Sequence, residues 1–137
     1  MTRKKFYSLS FTWGIVLSAI GLIVCVALMC IGYKPKKYNN CYYIAVGKNW
    51  GGLEFGWFFL TDSNESTFIK NHELGHAYQN IKYGPVTFLL WLVAAGRYWM
   101  KQAGVKLDYY SWWYESEANV IGNQLMPEET NNNQGGV

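Results

Sequence analysis

The longest apolar stretch of the chain lies close to its N-terminus. The run LSFTWGIVLSAIGLIVCVALMCIGY extends from Leu9 to Tyr33 without a charged residue, and about 20 apolar residues suffice for a helix to cross a bilayer. A cleaved signal peptide would have a shorter apolar region of roughly 7–15 residues, followed by small residues at the cleavage site. The pattern therefore predicts one uncleaved transmembrane helix, with Trp13 and Tyr33 at its interfaces.

A second apolar pattern, rich in aromatic and β-branched residues, begins at Tyr42. The segment YYIAVGKNWGGLEFGWFFL contains two such stretches around the Gly-rich sequence GKNWGG. Stretches of this kind bounded by Gly and Asn are typical of paired strands. We expect a β-hairpin with strands near 42–46 and 53–60.

The remaining periodic segments predict helices. In TDSNESTFIKNHELGHAYQNIKYGP, Asp62 and Glu65 have the spacing of a capping box and Gly84–Pro85 is a stop signal, which brackets a helix of about 20 residues. The apolar sequence VTFLLWLVAAG, near 86–96, is too short to span a bilayer alone and is expected to form a buried helix or a shallow membrane insertion. The sequence YYSWWYESEANVIGNQLM predicts another long helix that ends at Pro127.

The distribution of charge supports the membrane interpretation. Residues 1–37 contain six cations and no acidic residue, although the whole chain has 12 Lys+Arg and 9 Asp+Glu. A nucleic-acid surface would spread its cations over a folded face, whereas these form two clusters that flank the apolar run, which indicates a lipid bilayer as partner and no nucleic acid. Because three lie on each side, the orientation in the membrane stays open. The six cations are Arg3, Lys4, Lys5, Lys34, Lys36 and Lys37.

Taken together, these elements predict an α+β protein with an N-terminal transmembrane helix. The membrane segment with its basic flanks covers 1–37, and a small folded domain covers 38–126. The tail PEETNNNQGGV, 127–137, is too polar to form a core and is expected to be disordered.

The chain has two histidines, and both belong to the sequence HELGH. Residues four apart share a helix face, so His72 and His76 are expected to project side by side. Imidazole nitrogens bind zinc, and Glu73 would lie close to the metal without ligating it, as a general base requires. The alternative is a pair of helix histidines that form ordinary hydrogen bonds, but a chance match is expected in well under ~1% of chains of this length.

A third ligand would have to be a carboxylate, because no third histidine exists. Among the downstream acidic residues, Asp108 has the position of a helix cap, and Glu128 and Glu129 follow the proline stop. Glu115 and Glu117 remain. They lie about 200° apart on their helix, so only one of them can face the metal.

Glu115 is favoured over Glu117 because its helix face carries small or short residues, which permit close approach to another helix. Asn119, one turn beyond Glu115, is placed to hydrogen-bond a ligand histidine and fix its tautomer. The alternative for Asn119 is an amide on the helix surface. The small or short residues around Glu115 are Ser111, Ala118, Asn119 and Gly122.

The two segments NHELGHAYQ and YESEANVIG resemble the gluzincin zinc metallopeptidases, most nearly the membrane-embedded branch of the heat-shock protease HtpX and the CAAX prenyl protease, in a minimal form. The resemblance implies a zincin-like domain in which Zn²⁺ is bound by His72, His76 and Glu115, with Glu73 as the general base. Ala118 matches the alanine of the family's second motif. Asn119 stands where the family usually has aspartate.

The leading hypothesis is a small membrane-anchored zinc metallopeptidase that acts on a peptide or protein substrate. A catalytically inactive metal-binding membrane protein with a regulatory or immunity role is the alternative, and a structural membrane protein with an incidental HELGH is a third. The small size of the domain leaves room for a homo-oligomer or a partner that completes a substrate groove.

Two further features bear on catalysis. The strand near 53–60 precedes the site helix and is expected to offer an edge to which an extended peptide can add. An oxyanion would also need a hydrogen-bond donor besides the metal. The candidate donors, which the sequence does not rank, are Tyr78, Tyr83, Arg97, Tyr109 and Tyr110.

Overall fold

The computed structural model describes residues 2–106 and 112–126. These ranges form an α+β fold with one four-stranded sheet and five helices, which confirms the expected class. The helices are α1 (Arg3–Ser10), α2 (Ile15–Cys30), α3 (Thr67–Tyr83), α4 (Val86–Gln102) and α5 (Trp113–Leu125). The strands are β1 (Lys36–Tyr38), β2 (Cys41–Ala45), β3 (Gly52–Phe55) and β4 (Phe58–Thr61).

The N-terminal apolar run is bent rather than continuous, so the prediction of one helix from Leu9 to Tyr33 is wrong. Within the described ranges, no single helix has the length and apolar character needed to cross a membrane. Helices α1 and α2 meet that requirement only as a pair, and the pair is bent by 101° at a short break. The predicted membrane segment with its basic flanks extends to residue 37, whereas β1 of the sheet already begins at Lys36.

The bend arises where the run contacts α3. The carbonyl of Gly14, the residue just before α2, accepts a hydrogen bond of 3.2 Å from the side chain of Asn80. A Cβ at Gly14 would overlap that amide, so glycine permits the close approach. On the other side of the break, the buried ring of Phe6 packs against Tyr78 with ring centroids 5.1 Å apart. Both halves of the run are therefore held against the folded domain.

The sheet has the strand order β1-β2-β4-β3, which differs from the predicted hairpin. Strand β2 pairs with β4 in parallel, with Tyr42 opposite Phe58 and Ala45 opposite Thr61. The predicted strand near 53–60 is divided into β3 and β4, which form an antiparallel hairpin of their own. Strand β4 is thus inserted between β2 and β3, and β3 lies at an edge of the sheet.

Gly56 explains why the predicted second strand is two strands. Its φ of +67° suits a tight turn that other residues rarely adopt. The backbone N–H of Gly56 donates to the carboxyl group of Glu54, which closes the turn from within β3. The reversal brings Phe55 opposite Phe58.

Helix α3 begins later than the sequence predicts and ends where expected. The proposed capping box is wrong, because Asp62 accepts instead from the backbone N–H groups of Gly51 and Asn64 at 3.0 and 3.1 Å. Glu65 lies outside the helix with a φ of +48°. Gly84, with a φ of +60°, follows the last helical residue. Leu74, Ala77 and Ile81 lie on the α3 face that packs in the core with the sheet.

Helix α4 is not a buried helix, although its first half is strongly apolar. Leu89 is 62% exposed and Trp99 is 72% exposed, and other large apolar side chains of α4 are about half exposed. The shallow membrane insertion, the other expectation for 86–96, stays a prediction. The remaining half-exposed residues are Val86, Leu92, Val93 and Met100.

Helix α5 packs along α3 and corresponds to the C-terminal part of the predicted second long helix. Its last residue, Leu125, lies two positions before the predicted proline stop. The predicted cap Asp108 and the predicted disordered tail 127–137 lie outside the described residues.

Candidate metal centre

The side chains of His72, His76 and Glu115 converge between α3 and α5. The Nε2 atoms of the two histidines are 3.1 Å apart. One carboxylate oxygen of Glu115, Oε2, lies 2.8 Å from His72 Nε2 and 2.9 Å from His76 Nε2. Zinc with ligands at ~2.0–2.1 Å in tetrahedral geometry holds its donor atoms about 3.3–3.4 Å apart. The three donor atoms therefore have nearly the spacing of a zinc ligand set.

Two glycines allow the helices to approach closely enough for this convergence. A Cβ at Gly75, the glycine of HELGH, would overlap the backbone carbonyl of Ala118 on α5. In the same way, a Cβ at Gly122 would overlap the carbonyl of Asn71 on α3. The small-residue face that favoured Glu115 is therefore the face that contacts α3.

The other ring nitrogen of each histidine contacts an amide oxygen. His72 Nδ1 lies 2.8 Å from Asn119 Oδ1, so the expected contact of Asn119 with a candidate ligand histidine is present. His76 Nδ1 lies 2.7 Å from Oε1 of Gln79, which is fully buried. The orientation of the Gln79 amide is fixed because its Nε2 donates 3.0 Å hydrogen bonds to two acceptors, the carbonyl of Tyr114 and the carboxylate of Glu117.

These contacts determine the tautomers of the two rings. An amide oxygen can only accept, so the Nδ1 atom of each histidine donates to its amide, and in a neutral ring the Nε2 atom presents a lone pair. Both lone pairs point towards Oε2 of Glu115. Three electron-rich atoms about 3 Å apart repel one another unless a cation or protons lie between them. The donor set thus suits a divalent cation, and its two nitrogens and one oxygen suit zinc.

Glu115 is held in its charged form although it is fully buried. Burial favours the neutral carboxyl, but His72 and His76, when they carry a proton at Nε2, donate hydrogen bonds to Glu115 that outweigh this effect and lower its pKa to about 2. The second oxygen of Glu115, Oε1, is buried and has no hydrogen-bond partner among the described residues. A buried carboxylate with an unused oxygen beside two imidazoles is what a metal ligand requires.

Glu73 lies on α3 beside the three donors but is not one of them. Its side chain is 5% exposed, and burial raises its pKa above the ordinary value, while the nearby His72 and His76 act in the opposite direction. The backbone of Gly52 on β3 faces it, because a Cβ at Gly52 would lie 3.0 Å from Glu73 Oε1. A larger residue at position 52 would therefore press on this carboxylate.

Glu117, the carboxylate that the sequence analysis did not favour as a ligand, is not one of the three converging donors. In addition to Gln79, it accepts hydrogen bonds from Tyr83 Oη at 2.7 Å and Lys82 Nζ at 3.2 Å. It is therefore the outer end of a chain of hydrogen bonds that leads through Gln79 to His76.

A cavity of about 270 Å³ opens beside the donors, between β3, α4 and α5. Glu73, His76 and Glu115 line its inner end. A smaller cavity of about 150 Å³ reaches His72 and Glu73 from the side of Lys101 and Gln102. Glu73 thus lies between two spaces in which parts of a bound molecule could lie.

Strand β3 is the edge strand next to these cavities, so only the first half of the segment near 53–60 offers the expected edge, because β4 lies inside the sheet. Part of the edge is already covered, because the indole N–H of Trp91 on α4 donates to the carbonyl of Glu54 at 2.7 Å. Tyr98, also on α4, donates to the carbonyl of Trp50 at 2.9 Å. An extended peptide on this edge would have to displace the Trp91 hydrogen bond.

The candidate oxyanion donors within the described ranges occupy other places. Tyr78 hydrogen-bonds Asn39 and Asn40 near the first turn of the sheet, and Tyr83 binds Glu117. Arg97 lies over the ring of Trp112, 5.4 Å from its centroid. Tyr109 and Tyr110 lie outside the described residues. Tyr98 and Tyr114, which the sequence did not single out, line the larger cavity.

Glu54 is another residue that the sequence analysis missed. Its carboxyl group is 2% exposed and lies on the edge strand. Burial raises the pKa of Glu54 well above its ordinary range, and the charges of Glu73 and Glu115 act in the same direction against the hydrogen bond from Gly56. The neutral carboxyl is therefore favoured. Nothing in the local sequence GLEFG indicates that this glutamate is buried.

Comparison with known proteins adds no relative. Searches against protein-family models, curated proteins and solved structures found no match to the chain.

Proposed function

We propose that this protein is a small membrane-anchored zinc metallopeptidase, with His72, His76 and Glu115 as ligands and Glu73 as general base. The observation that carries the proposal is the convergence of two imidazole Nε2 atoms and a buried carboxylate oxygen on one point. A carboxylate that is not a donor adjoins that point and a cavity. This combination supports hydrolysis more specifically than metal storage or a structural role.

Each side chain has a defined task in peptide hydrolysis. Bound zinc would polarise the peptide carbonyl and lower the pKa of the attacking water. Glu73 accepts a proton from that water on a carboxylate oxygen as the new C–O bond forms. It then delivers the proton to the amide nitrogen as the C–N bond breaks. Burial of Glu73 raises its pKa and so assists the second step, in which the residue acts as an acid.

Membrane attachment is the second part of the proposal. The apolar faces of α2 and α4 support it, because Ile23 is 70% exposed and Leu89 is 62% exposed. Apolar faces of this size mark a surface that contacts lipid or protein. The exposed side of the bent α1–α2 pair would then contact the bilayer while Phe6 and Gly14 stay attached to the domain.

The test is metal content measured by elemental analysis on detergent-purified protein. We expect about one zinc per chain in the parent, loss of zinc in Glu115→Gln, and retention in Glu117→Gln. The second variant is a matched control, because a glutamine oxygen at 117 can still accept from Gln79. A parent chain that takes up no zinc after loading would refute the proposal and leave a structural membrane protein.

Catalysis is tested separately from metal binding. Glu73→Gln keeps the shape of the side chain but removes the base, so it should retain zinc and lose cleavage of a peptide library by about 100-fold or more. The alternative function is a catalytically inactive metal-binding protein, and the neutral Asn119 at the position of the family's aspartate favours it. Zinc binding by the parent without any cleavage would support that alternative.

A further inference from the structure

The larger cavity has apolar walls except at its inner end. Away from Glu73, His76 and Glu115, it is lined by aromatic rings, the side chain of Leu53 and the small residues of one turn of α4. Trp99 is 72% exposed and therefore stands at the mouth. The wall residues include Trp50, Leu53, Trp91, Ala94, Tyr98 and Trp99.

The polar atoms of three of these rings are already hydrogen-bonded to backbone carbonyls. The indole N–H groups of Trp50 and Trp91 donate to Val46 and Glu54, and the hydroxyl of Tyr98 donates to Trp50. One carboxyl oxygen of Glu54 accepts from the N–H of Gly56, and its other oxygen has no hydrogen-bond partner among the described residues. Apart from that oxygen, a ligand in the cavity would meet mostly ring faces and methyl groups.

The size of the cavity limits its ligand to one large group. Its volume of about 270 Å³ lies just below the range of roughly 300–1,000 Å³ found for small-molecule sites. Ala94 and Ala95, adjacent on α4, line it with methyl groups where larger residues would fill the space. None of the lining residues in the described ranges is Lys or Arg, so an acidic side chain would find no counter-charge.

We infer that this cavity binds one bulky apolar side chain of the substrate, adjacent to the peptide bond that is cleaved. The inference rests on the proposed function and adds the substrate class. Since the cavity opens directly beside Glu73 and His76, a side chain in it belongs to a residue that flanks the scissile bond. Ala95 sets the depth of the pocket, because a larger residue there would occupy the volume of the ligand.

The test measures binding of two hydroxamates to the full-length, zinc-loaded protein in detergent by calorimetry. Acetohydroxamate and 3-phenylpropanohydroxamate share the metal-binding group and differ in the apolar group. Because one methylene in a hydrophobic pocket changes affinity by roughly 10-fold or more, we expect the phenyl compound to bind ~100-fold more tightly. Equal affinities would overturn the inference, as would tighter binding of 6-aminohexanohydroxamate, which carries an ammonium group.

Variants of α4 locate the phenyl group. Ala95→Phe should reduce the difference between the two compounds to less than about 10-fold while acetohydroxamate binds as before, and Ala95→Leu should reduce it in part. Val93→Phe adds the same ring on the same helix at a half-exposed position that does not line the cavity, so it should leave the difference intact. A difference that survives both Ala95 variants would place the phenyl group elsewhere and overturn the inference.

Peptide cleavage separates this inference from the proposed function. The peptide library is varied at the residues that flank the cleavage site. If the parent prefers Phe, Leu or Trp there and Ala95→Phe prefers Ala, the result supports both the hydrolase and the pocket. Cleavage without such a preference would keep the hydrolase and overturn the pocket. Selective hydroxamate binding without any cleavage would overturn the hydrolase and keep the pocket as a site for apolar side chains.

Discussion

Gln79 determines which nitrogen of His76 faces Glu115. Its amide oxygen accepts from His76 Nδ1, and its amide nitrogen is held by Tyr114 and Glu117. Loss of an outer hydrogen-bond partner of this kind typically lowers metal affinity by about 10–100-fold. At the scale of single residues, Gln79 therefore matters as much to the site as the predicted partner Asn119.

Replacement of Gln79 tests this role directly. In Gln79→Leu the His76 ring loses its acceptor, so its tautomer and orientation are no longer fixed, and zinc affinity should fall by about 10–100-fold. Zinc affinity is measured by competition with a chromophoric chelator. The control is Glu117→Gln, which keeps an acceptor for Gln79, so its zinc affinity should stay within about twofold of that of the parent. An unchanged dissociation constant in Gln79→Leu would show that packing alone orients His76.

Site residues that are related by helical spacing could be identified from the sequence. Site residues that meet only through tertiary contacts could not. His72 and His76 are related by one helical turn, and the small face around Glu115 could be identified from the wheel. Gln79 has no motif to reveal it. Its role depends on Tyr114 and Glu117, which reach it only when α5 packs on α3.

At the scale of secondary-structure elements, Glu65 connects the start of α3 to the sheet. Its carboxylate accepts from Lys36 Nζ on β1 and from Tyr43 Oη on β2, each at 2.8 Å. The hydrogen bonds from Lys36 and then Tyr43 lower the pKa of Glu65. These contacts replace the capping box that the sequence suggested.

The lowered pKa gives this connection a defined pH dependence. A carboxylate whose pKa is lower in the folded chain stabilises the fold above the unfolded pKa of about 4.3, and this contribution is lost as pH falls through the folded pKa. Glu65→Gln should therefore have a lower melting temperature than the parent near pH 6, and the two values should converge as the pH falls below about 4. Melting curves by circular dichroism between pH 6 and 3 give the comparison; a constant difference over this range would contradict the assignment.

The ends of helices and strands could be predicted from the sequence only where a local sequence signal sets them. Gly84 ended α3 as expected, because a positive φ suits glycine at a helix end. The sheet order was not predictable, because β4 inserts between β2 and β3 through long-range pairing. The N-terminal bend was missed for the same reason, since the Gly14–Asn80 contact joins residues distant in sequence.

At the scale of the whole molecule, the exposed residues of α4 are spaced at helical intervals and face away from the domain. Val86, Leu89 and Val93 are each at least half exposed. Together with the apolar face of α2, this stripe would place the mouth of the cavity near the membrane surface. The sequence indicated the apolar character of 86–96, but not which side of α4 would remain uncovered.

Lipid contact by α4 is measurable with a spin label. A nitroxide at Leu89→Cys, in a background in which Cys25, Cys30 and Cys41 are alanine, should be more accessible to oxygen than to a water-soluble nickel complex in reconstituted vesicles, because oxygen partitions into lipid. A label at Gln102→Cys, an exposed polar position on the same helix, is the control and should show the reverse. Greater accessibility of position 89 to the nickel complex would show that α4 lies in water.

The contact of Gly75 with Ala118 and of Gly122 with Asn71 has a consequence for how such a centre could be found or transplanted. The transferable unit is a pair of helices rather than the pentapeptide HELGH. A search that requires glycine inside the first motif and the spacing E-x-x-A-x-x-x-G in a later helix would select chains able to bring the carboxylate to the histidines. A designer who grafts the same donors onto helices without both glycines would obtain the ligands but not the distance between them.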